Sequence, residues 1–370
     1  MLLNAADKAL WRLALPMIFS NITVPLLGLV DTAVIGHLDS PVYLGGVAVG
    51  ATATSFLFML LLFLRMSTTG LTAQAWGAKD PQRLARALVQ PLALALGAGV
   101  LIILLRLPLI DLALHIVGGS EAVLEQARRF LEIRWLSAPA SLANLVLLGW
   151  LLGVQYARAP VILLVVGNLL NIVLDLWLVM GLRMNVQGAA LATVTAEYAT
   201  LIIGLLMAKR VLTLRGVSLA MLKNAWRGDL RRLLALNRDI MLRSLLLQLC
   251  FGALTVFGAR LGSDIVAVNA VLMTMLTFTA YALDGFAYAV EAHSGQAYGA
   301  RDGSQLLEVW RAACRQSGMV ALAFALIYSL AGQYIIALLT SLPSLQQLAD
   351  RYLIWQTILP VVGVWCYLLD

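Results

Sequence analysis

Apolar runs too long for a soluble core recur along this whole chain, at 13–38, 42–66, 84–116, 121–153, 161–182, 186–208, 233–260, 264–290, 306–340 and 346–369. An α-helix needs ~20 apolar residues to cross the hydrocarbon core of a bilayer, and only helices or closed barrels satisfy their backbone polar groups there. The expected fold class is therefore an all-α integral membrane protein with about ten spanning helices. Composition agrees: 61% of the 370 residues are hydrophobic and 12% charged, where a soluble domain carries about a quarter charged residues. The first run holds Asp31 and is longer than the roughly 7–15-residue apolar core of a signal peptide, so it reads as a span. The net charge of +7 does not point to nucleic acid, because Lys and Arg sit in short connections rather than on one wetted face. Cys250, Cys314 and Cys366 form no C-x-x-C, and His37, His115 and His293 lack ligand spacing, so neither a metal site nor a cofactor is expected.

Basic residues orient the spans, since short cytoplasmic loops are enriched in Lys and Arg. One set of connections holds Lys8 and Arg12; Lys79, Arg83 and Arg86; Arg158; seven basic residues from Lys209 to Arg232; and Arg301, Arg311 and Arg315. The opposite set holds little beyond Arg106, Arg183, Arg260 and Arg351. The N-terminus is expected to be cytoplasmic and the chain a multi-pass protein of the cell (inner) membrane.

One internal repeat stands out. Residues 74–80 read QAWGAKD and residues 296–302 read QAYGARD, so Gln74, Gly77 and Asp80 recur as Gln296, Gly299 and Asp302, 222 residues on. The same offset pairs Gly36 with Gly258, Ala48 with Ala270, Thr52 with Thr274, Phe56 with Phe278 and Leu131 with Leu353. An even number of helices lies within the offset, so the copies run the same way: two parallel six-helix repeats. The expected organisation is an N-terminal lobe at 1–208, a basic cytoplasmic linker at 209–232 and a C-terminal lobe at 233–370. Counterparts of residues 149–208 would fall near 371–430, so the chain reads as a fragment of a twelve-helix protein, about four of six helices of the second lobe being present, rather than as a natural chain two helices short.

An ionisable group in mid-bilayer costs ~2.5–3.5 kcal/mol and is a functional candidate by default. Asp31 and Asp175 each lie seven residues in from the outer end of their spans, at Leu38 and Leu182, and Thr193 lies seven in from Val186. At ~1.5 Å per residue all three should sit about 10 Å below the outer boundary. Asn168, Asn171 and Asp175 share one helical face, and Asn21, Pro25, Gly28 and Asp31 or Thr32 share another. Burial disfavours an ionised carboxylate and a nearby cation favours it, so such a group can load and release a proton. The same oxygens could equally hold sodium. Interhelical hydrogen bonding that only glues the spans together is the competing explanation. Pro16 and Pro25 remove backbone donors and give the first helix places to bend. Asp31 maps by the offset to Ala253, which confines the coupling candidates to the first lobe.

The eighth span instead carries Asn269, Met273, Thr277, Tyr281, Asp284, Tyr288 and Glu291 at steps of three or four. Flexible thioether, aromatic rings and a counter-charge suit flat organic cations; ordinary packing, with Arg65 or Arg243 as charge partner, is the alternative. Gly46 and Gly50 form a GxxxG expected to pack helices closely. No Walker-type loop, Ser-His-Asp set or zinc-protease motif occurs, so an enzyme is not expected.

These residues resemble the multidrug and toxic compound extrusion (MATE) family, through LLGLVDTAVIGHL at 26–38, the duplicated QAWGAKD, NLLNIVLD at 168–175 and NRDIMLRSLLLQ at 237–248, the last marking the DNA-damage-inducible protein F branch. The resemblance implies twelve helices in two lobes and export of cationic or amphipathic compounds by alternating access, coupled to inward proton or sodium flow. It implies that Asp31 is the coupling aspartate and that Asn171, Asp175 and Thr193 complete its polar site; the helical spacing adds Asn168 to that site and makes Asn21, Met273, Thr277, Tyr281, Asp284 and Tyr288 candidates for the substrate. Acids carried deep in the tenth helix by some branches are missing from Tyr352–Leu369, so their cation sites are not carried over. The expected partners are small organic substrates and the lipid bilayer, and the expected state a monomer. Two other readings stay open: a lipid-linked oligosaccharide flippase, which would want several cavity arginines where Arg65, Arg134 and Arg243 are nearly all there are, and a non-transporting scaffold or sensor, which would need no coupling carboxylates.

Overall fold

The computed structural model describes residues 4–38, 40–226, 228 and 230–370, and their side chains except those of 22–32, 259, 263 and 266. The described residues form helices and no strands: α1 (Ala5–Gly36), α2 (Pro41–Leu60), α3 (Phe63–Gly77), α4 (Pro81–Leu104), α5 (Arg106–Val117), α6 (Glu121–Arg134), α7 (Ala138–Gly153), α8 (Arg158–Asp175), α9 (Asn185–Leu214), α10 (Leu219–Asn224), α11 (Leu230–Leu261), α12 (Ser263–Gly299), α13 (Gly303–Leu339) and α14 (Pro343–Leu369). A 3-10 turn at Trp135–Ser137 joins α6 to α7, and the π-helical segment Leu176–Gly181 prolongs α8. Among the described residues nine segments are long and apolar enough to cross a membrane, two of them merging α2 with α3 and α6 with α7. The 32-residue α1 precedes them. The fold is that of an all-α, multi-pass membrane protein. The run expected as one span at 84–116 breaks at Leu105, because Pro108 lacks the N–H that residue 104 would accept and its ring clashes with that carbonyl.

Two compact units divide the chain at places other than the basic linker: Ile22–Ser244 is one, and Met1–Asn21 with Leu245–Asp370 the other. The first is built around α7, where Leu142, Leu147, Trp150, Leu151 and Leu152 are fully buried. Small residues let its neighbours come close. A Cβ on Gly149 would stand 2.5 Å from the Arg65 carbonyl of α3, and one on Gly153 2.7 Å from Thr72 Cβ. The GxxxG of α2 does what its spacing suggested, since a Cβ on Gly46 or Gly50 would lie 2.5 Å from Gln126 or Phe130 of α6. Outward positions are apolar, with Leu104 and Ile116 each 73% exposed, the inverse of a soluble surface and the pattern lipid requires. The described residues of the segment 209–232, expected as a linker, are folded against this unit. Ser218 caps α10, Gln82 Nε2 and Gln90 Nε2 donate to the carbonyls of Met221 and Trp226 at 3.5 and 3.4 Å, and the Arg215 guanidinium lies 3.9 Å over the Trp76 ring.

In the second unit α12, α13 and α14 pack around Val268, Met275, Tyr328, Ile336 and Ala349. Tyr328 Oη donates to the Met275 carbonyl at 2.8 Å, and a Cβ on Gly332 would stand 2.6 Å from Leu353. The opening turns of α1 belong here, because Leu10, Leu13, Ala14 and Met17 repeat at helical spacing and are all buried. Polar contacts fix them: Arg315 donates to Asp7 at 2.9 Å, Trp11 Nε1 to Gln316 at 2.9 Å, and Asn21 Nδ2 to the Tyr281 carbonyl at 3.3 Å.

The duplicated heptapeptide folds the same way twice. In each copy the helix stops at its glycine and the residue two later takes a left-handed conformation, Lys79 at φ 53° and Arg301 at φ 54°. The aspartate then caps the next helix, Asp80 accepting from the amides of Gln82 and Arg83 and Asp302 from that of Gln305. The motif is thus a helix stop followed by a helix start, and this explains its retention independently of any ligand.

Candidate functional site

The sequence marks the face Asn168, Asn171 and Asp175 of α8, and the structure turns much of it inward. Asn171 is 4% exposed and its Nδ2 donates to Thr193 Oγ1 of α9 at 3.3 Å. That hydroxyl also lies 3.2 Å from the Ala189 carbonyl, to which it donates. The two helices can approach because a Cβ on Gly167 would collide with Thr200 Oγ1 at 2.7 Å. Beside this pair opens a cavity of about 550 Å³, lined by Asn168, Asn171, Thr193 and Thr200 among mostly apolar residues. Such a volume matches drug-sized ligands.

Asp175 does not line the cavity; it lies one turn beyond Asn171, 1% exposed. Neither carboxylate oxygen has a hydrogen-bond partner among the described residues. Here the helix widens: the Leu182 amide donates to the Trp177 carbonyl, five residues back, at 2.9 Å. A π turn inserts extra chain and turns the residues after it onto new faces, and such turns cluster at functional sites. Thr193, expected at the depth of Asp175, pairs with Asn171, one turn away along α8. Asp31 belongs to α1, and its side chain lies outside the described residues.

The cavity holds two charged groups that the sequence reading did not assign to it. Glu197 of α9 is bound by Asn144 of α7, whose Nδ2 donates to its Oε2 at 3.0 Å and to its carbonyl at 3.1 Å. Arg134, closing α6, contacts Ser137 and lies 5.4 Å from the centroid of Phe58. Counted along their helices at ~1.5 Å per residue from Asn185 and from Glu121, both lie roughly 18–20 Å in, near mid-bilayer. The missed signal was the Thr193, Glu197, Thr200 spacing, one helical face of α9. The cavity thus offers apolar walls with a carboxylate, a guanidinium and several amides and hydroxyls, a chemistry for binding and release rather than bond making.

The second-unit candidates are less concentrated. Asn21 serves α1 packing through its bond to Tyr281, and the Thr277 hydroxyl donates to the Met273 carbonyl of its own turn at 2.9 Å. Tyr281, Asp284 and Tyr288 are partly buried along α12. Among the described residues no cluster of three or more His, Cys, Asp or Glu side chains could hold a metal ion.

The MatE family model matches residues 16–177 and again 240–366, one match in each copy of the repeat. The chain belongs to the MatE family. Among its relatives, DNA damage-inducible protein F of Escherichia coli (strain K12) is 88% identical over 368 residues, covering 100% of this chain and 80% of that protein. A probable multidrug resistance protein NorM of Acinetobacter baylyi is 22% identical over 97% of this chain and 80% of its own length. A crystal structure of MATE in complex with MaD3S is 25% identical and superimposes with a TM-score of 0.84 over 99% of this chain and 81% of that one. Another, MATE in the straight conformation, 24% identical, reaches 0.88 over the same shares and supports the fold. Membership makes this MATE chain a membrane transporter and not an enzyme.

Proposed function

We propose that this MATE chain exports cationic or amphipathic organic compounds by antiport, driven by inward flow of protons or sodium. The observation that carries the reading is Asp175, buried to 1% with both oxygens unpartnered among the described residues, one turn from the Asn171–Thr193 pair on a cavity wall. A carboxylate is kept in such a place only at a cost in stability, and an ion that comes and goes explains the cost. On this reading Asp31, Asp175, Asn171, Thr193 and Asn168 form the coupling site, and the cavity with Glu197 receives the substrate's charge. The basic connections mark the cytoplasmic side, the N-terminus is cytoplasmic, and the membrane is the inner one. A single arginine, Arg134, lines the cavity among the described residues, which gives little support to a pyrophosphate-binding flippase. The test uses sealed everted vesicles energised to acidify the lumen, with a pH-sensitive dye reporting proton release when a cationic drug is added. Release that needs Asp31 and not sodium is expected for proton coupling, and sodium-dependent release for the other ion. Coupled export by Asp31→Asn at the wild-type rate, with both proteins inserted equally, would overturn the coupling assignment.

A further inference from the structure

A second concavity lies at the opposite end of the first unit from Asn185 and Glu121, where α4 begins and α11 starts. It encloses about 70 Å³ and is lined by Arg83 and Arg86 from the first two turns of α4, Arg232 from the first turn of α11, and Gln90. Positive charge at this end is ordinary for a membrane protein, but scattered loop charges point apart into water. These three share one small pocket, and no carboxylate lines it among the described residues; Asp229 lies outside them. Asp80, the nearest acid in sequence to Arg83, is engaged in capping α4. Arg86 is held in place: a side chain on Gly228, at φ 140°, would run into its guanidinium, and its Nε is buried without a hydrogen-bond partner among the described residues. Arg232 also donates to Gln74 Oε1 at 3.4 Å, and an anion with several acceptor oxygens lying among the three guanidinium groups would satisfy the Arg86 Nε as well as bind their charge.

The neighbourhood indicates the depth of the site. Trp226 is 63% exposed and its carbonyl accepts from Gln90 Nε2 at 3.4 Å, which ties the backbone of an exposed tryptophan to a residue of the pocket. Exposed tryptophans of membrane proteins concentrate at the headgroup level. We infer that Arg83, Arg86 and Arg232 form a phosphate-binding site, whose occupant is the phosphate of an acidic lipid headgroup or a free phosphate ion. Guanidinium groups suit this chemistry because their forked donors match phosphate oxygens in pairs. Basic pockets between helices on the cytoplasmic side are known lipid-headgroup sites. Because Gln90 and Gln82 of α4 hold the 209–232 segment, an occupant would tie that segment to the start of α4 and α11. The site does not depend on the transported compound or on the coupling ion.

The test uses the purified full chain in detergent. In one arm native mass spectrometry follows retention of added phosphatidylglycerol or phosphatidylcholine. In the other, thermal unfolding is followed in sodium phosphate and in sodium chloride at equal ionic strength. The wild type is expected to keep phosphatidylglycerol in preference to phosphatidylcholine. Arg86→Gln, and Arg83→Gln with Arg232→Gln, should each weaken retention roughly five- to tenfold per lost charge, while Arg210→Gln, an exposed cation of the same segment, should not. Arg86→Lys, which keeps the charge and loses the fork, should fall between and guards against a folding defect in Arg86→Gln. Protection by phosphate without lipid preference assigns the site to the free ion. Equal retention of both lipids together with no protection by phosphate overturns the proposal, as does a loss in Arg210→Gln equal to that in Arg86→Gln.

Discussion

Asp175 has a side chain 1% exposed and no hydrogen-bond partner for either oxygen among the described residues, so replacing it separates a functional carboxylate from a structural one. Asp175→Val keeps a branched side chain of similar size and removes the polar atoms. A buried polar group left unsatisfied costs ~1–3 kcal/mol, and in large domains each kcal/mol moves the melting temperature by roughly 2 °C. The variant in sodium-free buffer is therefore expected to melt about 2–6 °C above the wild type and to have lost coupled export. The gain in stability and the loss of activity have one cause, since strain at a binding site is relieved when its ligand or its demand is removed. Adding sodium then identifies the occupant. If sodium binds there, a concentration a hundred times its dissociation constant stabilises the wild type by ~2.7 kcal/mol and closes or reverses the gap, while leaving Asp175→Val unmoved. Thermal unfolding in detergent followed by tryptophan fluorescence gives both numbers. A variant that melts below the wild type in sodium-free buffer would refute the reasoning, because the carboxylate would then be holding the fold together.

Three further outcomes follow from the geometry. Glu197→Gln keeps the hydrogen bond from Asn144 and removes the charge from the cavity, so export of cationic compounds should fall about tenfold, the scale of one charge-assisted contact. Export of neutral compounds of the same size should be nearly unchanged; equal loss of both would make Glu197 a packing residue. Gly149→Val puts a branched side chain where even a Cβ would stand 2.5 Å from the Arg65 carbonyl, and should cost about 3 kcal/mol or prevent folding, read as loss of the monodisperse peak in fluorescence-detected size exclusion. Asp80→Ala and Asp302→Ala each remove a helix cap and should each cost ~1 kcal/mol by thermal unfolding. A far larger effect in one copy would mean that its loop does more than stop one helix and start the next.

The sequence made most of the fold legible because membrane helices obey a local rule: length and apolarity of a segment decide its fate with little help from the rest of the chain. The same locality explains the repeat, whose heptapeptide carries its own left-handed residue and cap and so folds alike wherever it occurs. What was less legible depends on how helices meet. The π segment after Asp175 and the pairing of Thr193 with Asn171 rather than with Asp175 are features of how helices meet that no count along a straight helix anticipates. Arg134 sits at a helix end where a surface position would be the ordinary expectation, and only the turn at Trp135–Ser137, with Trp135 Nε1 donating to Thr54 at 3.0 Å, folds α7 on so that this end lies inside the lobe. The opening turns of α1 pose the same problem at larger scale. They belong by repeat to one half of the sequence and pack with the other, because Leu10, Leu13, Ala14 and Met17 find their complement on α12, where a side chain at Gly285 would stand 3.2 Å from the Ala14 carbonyl. A duplication read from sequence therefore records ancestry of the two halves, while the compact units, bounded at Asn21 and Ser244, are set by the surfaces that pack together.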